Sequence, residues 1–159
     1  MKNKLKEKYR VGIISDTHGL LREEVINYLK TCDYIVHGGD INTEDVLNKL
    51  KDIAPLYVVR GNNDKGEWAE KLPKELYIEI GNIRFYMVHN KKDISSKLKP
   101  IDIIIFGHSH KYFCENIEDI LWLNPGSCGK RRFNSPINLA IMTIENNDYN
   151  IEKIDIRFN

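Results

Sequence analysis

Residues 9–18, YRVGIISDTH, join a nearly continuous apolar run to a polar end that contains an aspartate and a histidine. Four more runs rich in Ile, Val or aromatic residues follow along the chain, at residues 34–37, 56–59, 83–88 and 101–106. Short, nearly continuous apolar runs are typical of strands that are buried on both faces. The sequence therefore predicts a β-sheet core whose strands are covered on each side.

Two amphipathic stripes separate the first three apolar runs. Apolar residues recur at every fourth position over residues 21–29, and a second stripe covers residues 46–50, with Asn42 or Thr43 as its candidate N-cap. Alternating strand and helix patterns favour βαβ units and a parallel or mixed sheet.

The second half of the chain has the pattern of antiparallel strands. Residues 76–80 and the run from residue 83 flank Gly81-Asn82, which is typical of a β-hairpin. Further strand candidates follow at residues 112–114, 120–123, 137–144 and 149–156. We expect two packed sheets with helices outside, in a single domain that spans residues 1–159.

Size and composition limit the classes of function. The 159 residues are 42% hydrophobic and 30% charged, which is the balance of a globular domain, and the net charge of +1 gives no electrostatic reason for a nucleic-acid or membrane partner. The three cysteines, Cys32, Cys114 and Cys128, form no CxxC pair, which favours reduced thiols and a cytoplasmic location. A catalytic cysteine stays an alternative.

Residue types that bind metal ions stand at the carboxyl end of each of the five apolar runs. They are, in order, Asp16 and His18; Asp40; Asn62, Asn63 and Asp64; His89; and His108 and His110. In open α/β sheets, the carboxyl edge of the strands is where ligands bind.

Each of these motifs has a purely structural interpretation when it stands alone. An Asp-x-His sequence is often a capped turn, and an isolated histidine such as His89 is more often a satisfied buried side chain. Their joint occurrence at five strand ends favours a metal site. Imidazole, carboxylate and amide oxygen without thiolate suit Mn, Fe, Zn, Co or Ni, and there are more donors than one tetrahedral ion needs. Two ions that share a carboxylate would use them all.

The order of these motifs resembles the calcineurin-like metallophosphoesterase superfamily. The matching residues are Asp-x-His at 16–18, Gly-Asp at 39–40, Gly-Asn-x-Asp at 61–64, His89 and Gly-His-x-His at 107–110. The chain length and Asn-Pro-Gly-Ser at 124–127 resemble its small bacterial and archaeal phosphodiesterase branch. The resemblance implies an α/β fold of four αββα layers, in which two mixed β-sheets are flanked by helices.

The resemblance also implies two divalent metal ions, with Mn expected first and Ni, Co, Fe or Zn as alternatives. The implied ligands are Asp16, His18, Asp40 and His110 for the first ion, and Asp40, Asn62, His89 and His108 for the second. Asp40 would bridge the two ions, and a hydroxide held between them would attack phosphorus in line.

Two positions depart from the family pattern. Many members have His where this chain has Asn63, and an amide can donate a hydrogen bond but cannot act as a general acid. A Gly often follows the fourth-motif histidine, and here that residue is Asn90. We assign catalytic roles to Asn62, Asn63 and Asp64, and substrate contacts to Asn63 and Arg60, although an ion pair under the site is an alternative for Arg60.

The leading hypothesis is a metal-dependent phosphodiesterase that acts on a small phosphate ester and assembles as a homodimer or homotetramer. A phosphomonoesterase acting on nucleotides or phosphoproteins shares the same metal centre and is the alternative enzyme. A non-catalytic scaffold, such as the retromer subunit that shares this fold, is the alternative from another class. A degraded set of metal ligands would indicate a scaffold, and here every ligand position is filled.

Overall fold

The computed structural model describes residues 8–131 and 136–157. The strands of this part of the chain are β1 (Lys8–Ile14), β2 (Tyr34–His37), β3 (Leu56–Val58), β4 (Glu75–Ile80), β5 (Ile83–Val88), β6 (Ile103–Ile105), β7 (Tyr112–Ile117), β8 (Ile120–Pro125), β9 (Ile137–Glu145) and β10 (Asp148–Ile156). The helices are α1 (Glu23–Leu29), α2 (Glu44–Ile53) and α3 (Glu67–Glu70), and a 3-10 turn covers Lys91–Asp93.

The strands form two mixed sheets of five. The first has the order β10-β9-β1-β2-β3, with β1, β2 and β3 parallel and β9 antiparallel to β1. The second has the order β4-β5-β6-β8-β7, with β5, β6 and β8 parallel. The predicted βαβ half and the predicted hairpin of β4 and β5 are both present. The predicted α/β class with two mixed sheets is confirmed.

Helices α1 and α2 cover the outer face of the first sheet. Their apolar side chains, including Val25, Leu29 and Leu50, are buried against Ile14 and Ile35. The predicted stripes are therefore the packed faces of these helices. Of the two predicted N-caps, Thr43 caps α2, since its hydroxyl accepts a hydrogen bond from the backbone N–H of Val46 at 3.3 Å.

The outer face of the second sheet carries a much thinner cover. Its apolar cluster is centred on Tyr86, Ile104 and Phe106, with Ile94 and Leu98 from the segment after the 3-10 turn packed against it. No residue of α1, α2 or α3 belongs to this cluster. The layer that flanks this sheet is therefore a 3-10 turn with its following loop.

The inner faces of both sheets pack against each other. Val11, Ile13 and Val36 from the first sheet share one buried cluster with Phe85 and Ile103 from the second. The carboxyl ends of β1, β2 and β3 in one sheet and of β5 and β6 in the other meet at one edge of this sandwich. No helix within the described ranges is long and apolar enough to cross a membrane.

Candidate metal centre

The loops that leave β1 and β2 are bound to each other directly after the strands end. The backbone N–H of Asp16 donates to the carbonyl of Gly39 at 3.0 Å, and that of His18 donates to the carbonyl of Asp40 at 3.0 Å. These bonds continue the pairing of the parallel strands beyond their last residues. They bring the Asp-x-His and Gly-Asp motifs side by side.

Five of the predicted metal ligands have a left-handed backbone. A positive φ is uncommon outside glycine and stores local strain, which in folded proteins concentrates at functional sites. The five residues and their φ angles are Asp16 (54°), His18 (48°), Asp40 (62°), His108 (74°) and His110 (64°). The sharp bends end the alternation of side chains between the two faces of the sheet, and four of these five residues belong to the donor groups described next.

One group of donor atoms consists of Asp16, His18 and His110. The Nε2 atoms of His18 and His110 are 3.1 Å apart, and they lie 3.6 and 3.4 Å from Oδ1 of Asp16. A tetrahedral ion with bonds of about 2.0–2.1 Å separates its donors by roughly 3.3–3.4 Å. The triangle therefore has the size of one face of a metal coordination sphere.

A second group consists of Asp16, Asp40 and His89. Nε2 of His89 lies 3.2 Å from Oδ2 of Asp40 and 3.9 Å from Oδ1 of Asp16, and Oδ2 of Asp40 is also 3.7 Å from Nε2 of His18. Both carboxylates thus reach both groups. The sequence predicts that the two ions share Asp40. Asp16 also lies within reach of both donor groups.

Two atoms at the centre of the cluster are buried without a hydrogen-bond partner, Oδ1 of Asp16 and Nε2 of His89. Nδ1 of His89 lies 2.7 Å from the carbonyl oxygen of Gly38. A carbonyl only accepts, so in the neutral ring the proton is on Nδ1 and the lone pair is on Nε2. Unpaired buried polar atoms are rare, and these two suit a bound cation.

The electrostatics of the cluster also favour a cation. Burial would raise the pKa of Asp16, but hydrogen bonding with His18 and the nearby imidazoles hold it below its ordinary value. Burial opposes the ionised form of Asp40 too, yet His89 and the backbone N–H of Asn63 lower its pKa. Burial lowers the pKa of His89, but Asp40 and Asp16 outweigh it and the net shift is upward. The two carboxylates thus favour positive charge at His89, where a metal ion would also carry it.

Asn62 and His108 stand at the exposed rim of the cluster. Oδ1 of Asn62 lies 3.2 Å from Nδ1 of His108, and the His108 ring meets the edge of His89 with centroids 5.3 Å apart. The structure thus brings five predicted ligands into the two donor groups and places these two beside them.

The side chain of Asn63 faces Asp40. Its backbone N–H donates to Oδ1 of Asp40 at 2.9 Å, and its amide nitrogen donates to Oδ2 at 3.0 Å. The substrate contact predicted for Asn63 is therefore not the contact that its amide makes here. Asn63, the position where the sequence departs from the family pattern, thus donates to both oxygens of a predicted metal ligand.

Asp64 binds backbone instead of facing the cluster. Its carboxylate accepts the N–H groups of Asp40 at 3.0 Å, Asn42 at 2.8 Å and Gly61 at 2.8 Å. The side chain is 1% exposed. The contribution of Asp64 is to hold the loop after β2 against the loop after β3.

A cavity of about 920 Å³ opens beside the cluster. Its lining includes Arg60, Asn62, His89, His108 and Asn90, which is the residue that stands where family members often have Gly. The guanidinium Nε of Arg60 donates to the carbonyl of Asp64 at 3.0 Å, which fixes the side chain at the cavity wall. Arg60 therefore lines the cavity, and its contact with substrate stays a prediction.

The sequence did not predict the contacts that His37 and Asn124 make at the site. His37 is fully buried beneath the cluster, where Nδ1 accepts the N–H of Gly39 at 3.0 Å and Nε2 lies 3.0 Å from the hydroxyl of Thr17. Asn124 donates to the carbonyl of Gly107 and to Ser109, at 3.1 Å each. Its position at the carboxyl end of β8, next to β6, was the available signal.

Gly61 is required because the Asp40 carboxylate packs directly against its Cα. A Cβ at this position would overlap Oδ1 and the backbone nitrogen of Asp40. Gly61 does not have a positive φ, so its role is close approach and not backbone conformation.

A family model described as the calcineurin-like phosphoesterase superfamily domain matches residues 9–147. A probable metallophosphoesterase of Methanocaldococcus jannaschii is 33% identical over 132 residues, covering 74% of this chain and 67% of the relative. The chain therefore belongs to the calcineurin-like phosphoesterase superfamily, whose members depend on metal ions.

Two further likenesses agree with this assignment. A phosphodiesterase of the same organism is 27% identical over 140 residues, covering 75% of this chain and 84% of the relative. The solved structure of Vacuolar Protein Sorting 29 from Cryptosporidium parvum has a TM-score of 0.76 at 18% identity, and it covers 95% of this chain and 99% of that one. The second likeness shows the fold alone.

Replacing Gly61 with alanine tests the close approach to Asp40. We expect Gly61→Ala to weaken Zn²⁺ or Mn²⁺ binding by about 10- to 100-fold, because the new methyl group displaces the carboxylate. Competition with a chromophoric chelator measures the affinity, and urea unfolding in EDTA shows whether the fold is retained. Unchanged affinity in a folded variant would contradict the packing described here.

The burial of His37 predicts a pH dependence of stability. Burial lowers the pKa of His37 to about 3, whereas the ring titrates near 6.5 when unfolded. Stability from neutral His37 is therefore complete above pH 6.5 and is lost as pH falls toward 3. The lowered pKa values of Asp16 and Asp40 change the stability only near and below pH 3.8. The raised pKa of His89 changes it only above pH 6.5.

Between about pH 6 and 4.5, the free energy of unfolding of the metal-free protein should therefore fall by up to about 1.4 kcal/mol per pH unit through His37. Urea unfolding across this range measures the slope. In His37→Gln we expect a shallower slope, whatever the absolute stability of the variant. An equal slope in both proteins would show that His37 does not carry the effect.

Proposed function

We propose that the protein is a metal-dependent phosphodiesterase that uses two divalent ions. The observation that carries the proposal is the cluster of five buried or nearly buried donors, with two central atoms that lack a partner. The two groups share Asp16, as expected when two ions lie close together. Held by these donors, two such ions would supply an activated water for in-line attack and positive charge beside the phosphoryl oxygens.

The residues of the chain prepare this centre in three ways. Asn63 keeps Asp40 ionised and fixed by donating to both of its oxygens. The carbonyl of Gly38 keeps the proton of neutral His89 on Nδ1, which leaves Nε2 free to coordinate. Asp64 ties three backbone N–H groups together beneath the centre. The ligands are thus held in position before an ion arrives.

The nature of the substrate follows from the open side of the cluster. The cavity accepts a group larger than phosphate alone, and Arg60 and Asn62 present polar donors on its wall. No histidine is present at position 63 to protonate a poor leaving group, so the site suits esters whose leaving group needs little help. The phosphodiesterase relative supports a diester as the preferred substrate.

Manganese is the metal we propose first. The donors are imidazole nitrogens and carboxylate oxygens, and no thiol belongs to either donor group of the described residues. This set suits Mn and also Fe, Co, Ni or Zn.

The two other functions remain distinguishable from this one. A phosphomonoesterase would use the same donors. Because position 63 is not a histidine, substrates with poor leaving groups are disfavoured for a phosphodiesterase and for a phosphomonoesterase alike. A scaffold is disfavoured because all the predicted donor types are retained and five of them converge. The homodimer or homotetramer, the small phosphate-ester partner, the absence of nucleic-acid and membrane partners, and the cytoplasmic location stay predictions.

The test is hydrolysis of bis(p-nitrophenyl) phosphate beside p-nitrophenyl phosphate by protein stripped of metal and then supplied with Mn²⁺. We expect turnover that depends on the metal and is faster on the diester. Asp40→Asn should lower it by roughly 10³-fold or more, since this residue reaches both donor groups. Asn63→Ala should lower it by only about 10- to 100-fold, since it removes a partner of Asp40 and not a ligand.

Faster hydrolysis of the monoester would move the assignment to a phosphomonoesterase. An absence of turnover with Mn²⁺, Ni²⁺ or Co²⁺, in protein that is shown to bind them, would favour the scaffold. Wild-type turnover in fully metal-loaded Asp40→Asn would contradict the role of Asp40.

A further inference from the structure

Asn42 contacts the side of His18 that points away from the metal donors. Its amide nitrogen Nδ2 lies 3.1 Å from Nδ1 of His18, while Nε2 of the same ring faces Asp16, Asp40 and His110. His18 is 7% exposed, so its ring is almost enclosed by these neighbours. Asn42 is therefore the hydrogen-bond partner of the His18 nitrogen that faces away from the metal donors.

The other end of the Asn42 amide has no partner. Oδ1 is buried and makes no hydrogen bond among the described residues. The amide can turn by 180° about its last bond and exchange its two ends within the same volume. Since no second contact fixes the amide, its orientation follows the state of the His18 ring.

Binding of a metal ion at Nε2 of His18 requires the lone pair on that nitrogen. The ring proton is then on Nδ1 and needs an acceptor. Oδ1 of Asn42, turned toward the ring, is the acceptor that this position supplies. The same rotation gives the buried oxygen a partner and moves Nδ2 to the place that has none among the described residues.

The backbone of Asn42 is fixed independently of its side chain. Its N–H donates to Oδ1 of Asp64 at 2.8 Å, and its φ is 72°, in the left-handed region that Asn and Asp tolerate well. Thr43, not Asn42, caps α2. The side chain of Asn42 therefore has no role in the helix and remains available to His18.

We propose that Asn42 is a positioning residue for the first metal ion: its amide oxygen accepts the Nδ1 proton of His18 and so stabilises the tautomer with the lone pair on Nε2. The inference rests on the proposed metal centre. It adds a residue that touches no ion and acts only through the His18 ring.

Two substitutions separate this role from a purely structural one. Asn42→Gly removes the side chain and suits the positive φ, and Asn42→Asp keeps an acceptor and also tolerates this backbone. Asn146→Gly is the matched control, because Asn146 also has a positive φ (54°) and lies in the turn between β9 and β10, away from the cluster.

Two measurements are made on each protein. Competition with a chromophoric chelator gives the Zn²⁺ affinity, and ¹H–¹⁵N correlation spectra of the imidazoles of the zinc-loaded protein give the tautomer of His18. In the wild type we expect His18 to carry its proton on Nδ1 and to bind zinc through Nε2. In Asn42→Gly we expect one of the bound Zn²⁺ ions to bind about 10- to 100-fold more weakly. Asn42→Asp should restore or exceed the wild-type affinity, and Asn146→Gly should leave it unchanged.

Wild-type affinity in Asn42→Gly would overturn the proposal, and so would a zinc-bound His18 that coordinates through Nδ1. A loss in Asn42→Gly that Asn42→Asp does not restore would overturn it as well, because any acceptor should serve. If the wild-type protein binds no Zn²⁺, the metal centre itself is refuted. The wild-type protein therefore tests the metal centre, and the Asn42 variants test the role of Asn42.

Discussion

The structure depends on the burial of two ionised carboxylates, Asp16 and Asp40, at the edge where the two sheets meet. Both are almost completely shielded from solvent, at 0% and 2% exposed, and imidazoles of His18, His89 and His110 lie within 4 Å of them. Isolated buried charge is expensive unless it is paired or bound to metal. The arrangement is therefore one that a divalent cation stabilises.

The architecture around these carboxylates holds them in spite of that cost. Parallel pairing delivers the loops after β1 and β2 to the same place, and hydrogen bonds between the loops extend the pairing by several residues. Asn63 and Asp64 connect the loop after β3 to Asp40 from two sides. His37 lies beneath and joins the Asp-x-His loop to the Gly-Asp loop. The left-handed residues at the site are strained positions that this network maintains.

Much of this could be predicted from the sequence, because strand burial and strand-end chemistry are local patterns. The apolar runs located every strand that carries the site, and their polar ends supplied all five donors of the two groups. The roles of Asn63 and Asn42 could not be predicted. They depend on how the loops after β1, β2 and β3 lie against one another, and the alternation of side chains in a strand does not extend into these loops. The thin cover of the second sheet could not be predicted either, because residues 91–102 have no periodic pattern of apolar side chains.

The central claim is that the cluster binds two metal ions close enough to share a carboxylate. The most direct test is electron paramagnetic resonance of the protein titrated with Mn²⁺, with bound metal counted in parallel. Ions about 3.5–4 Å apart interact magnetically. The account predicts two Mn²⁺ per chain at saturation and a spin-coupled spectrum in place of the six-line signal of an isolated ion. A single Mn²⁺ per chain, or two that give only uncoupled signals, would contradict it.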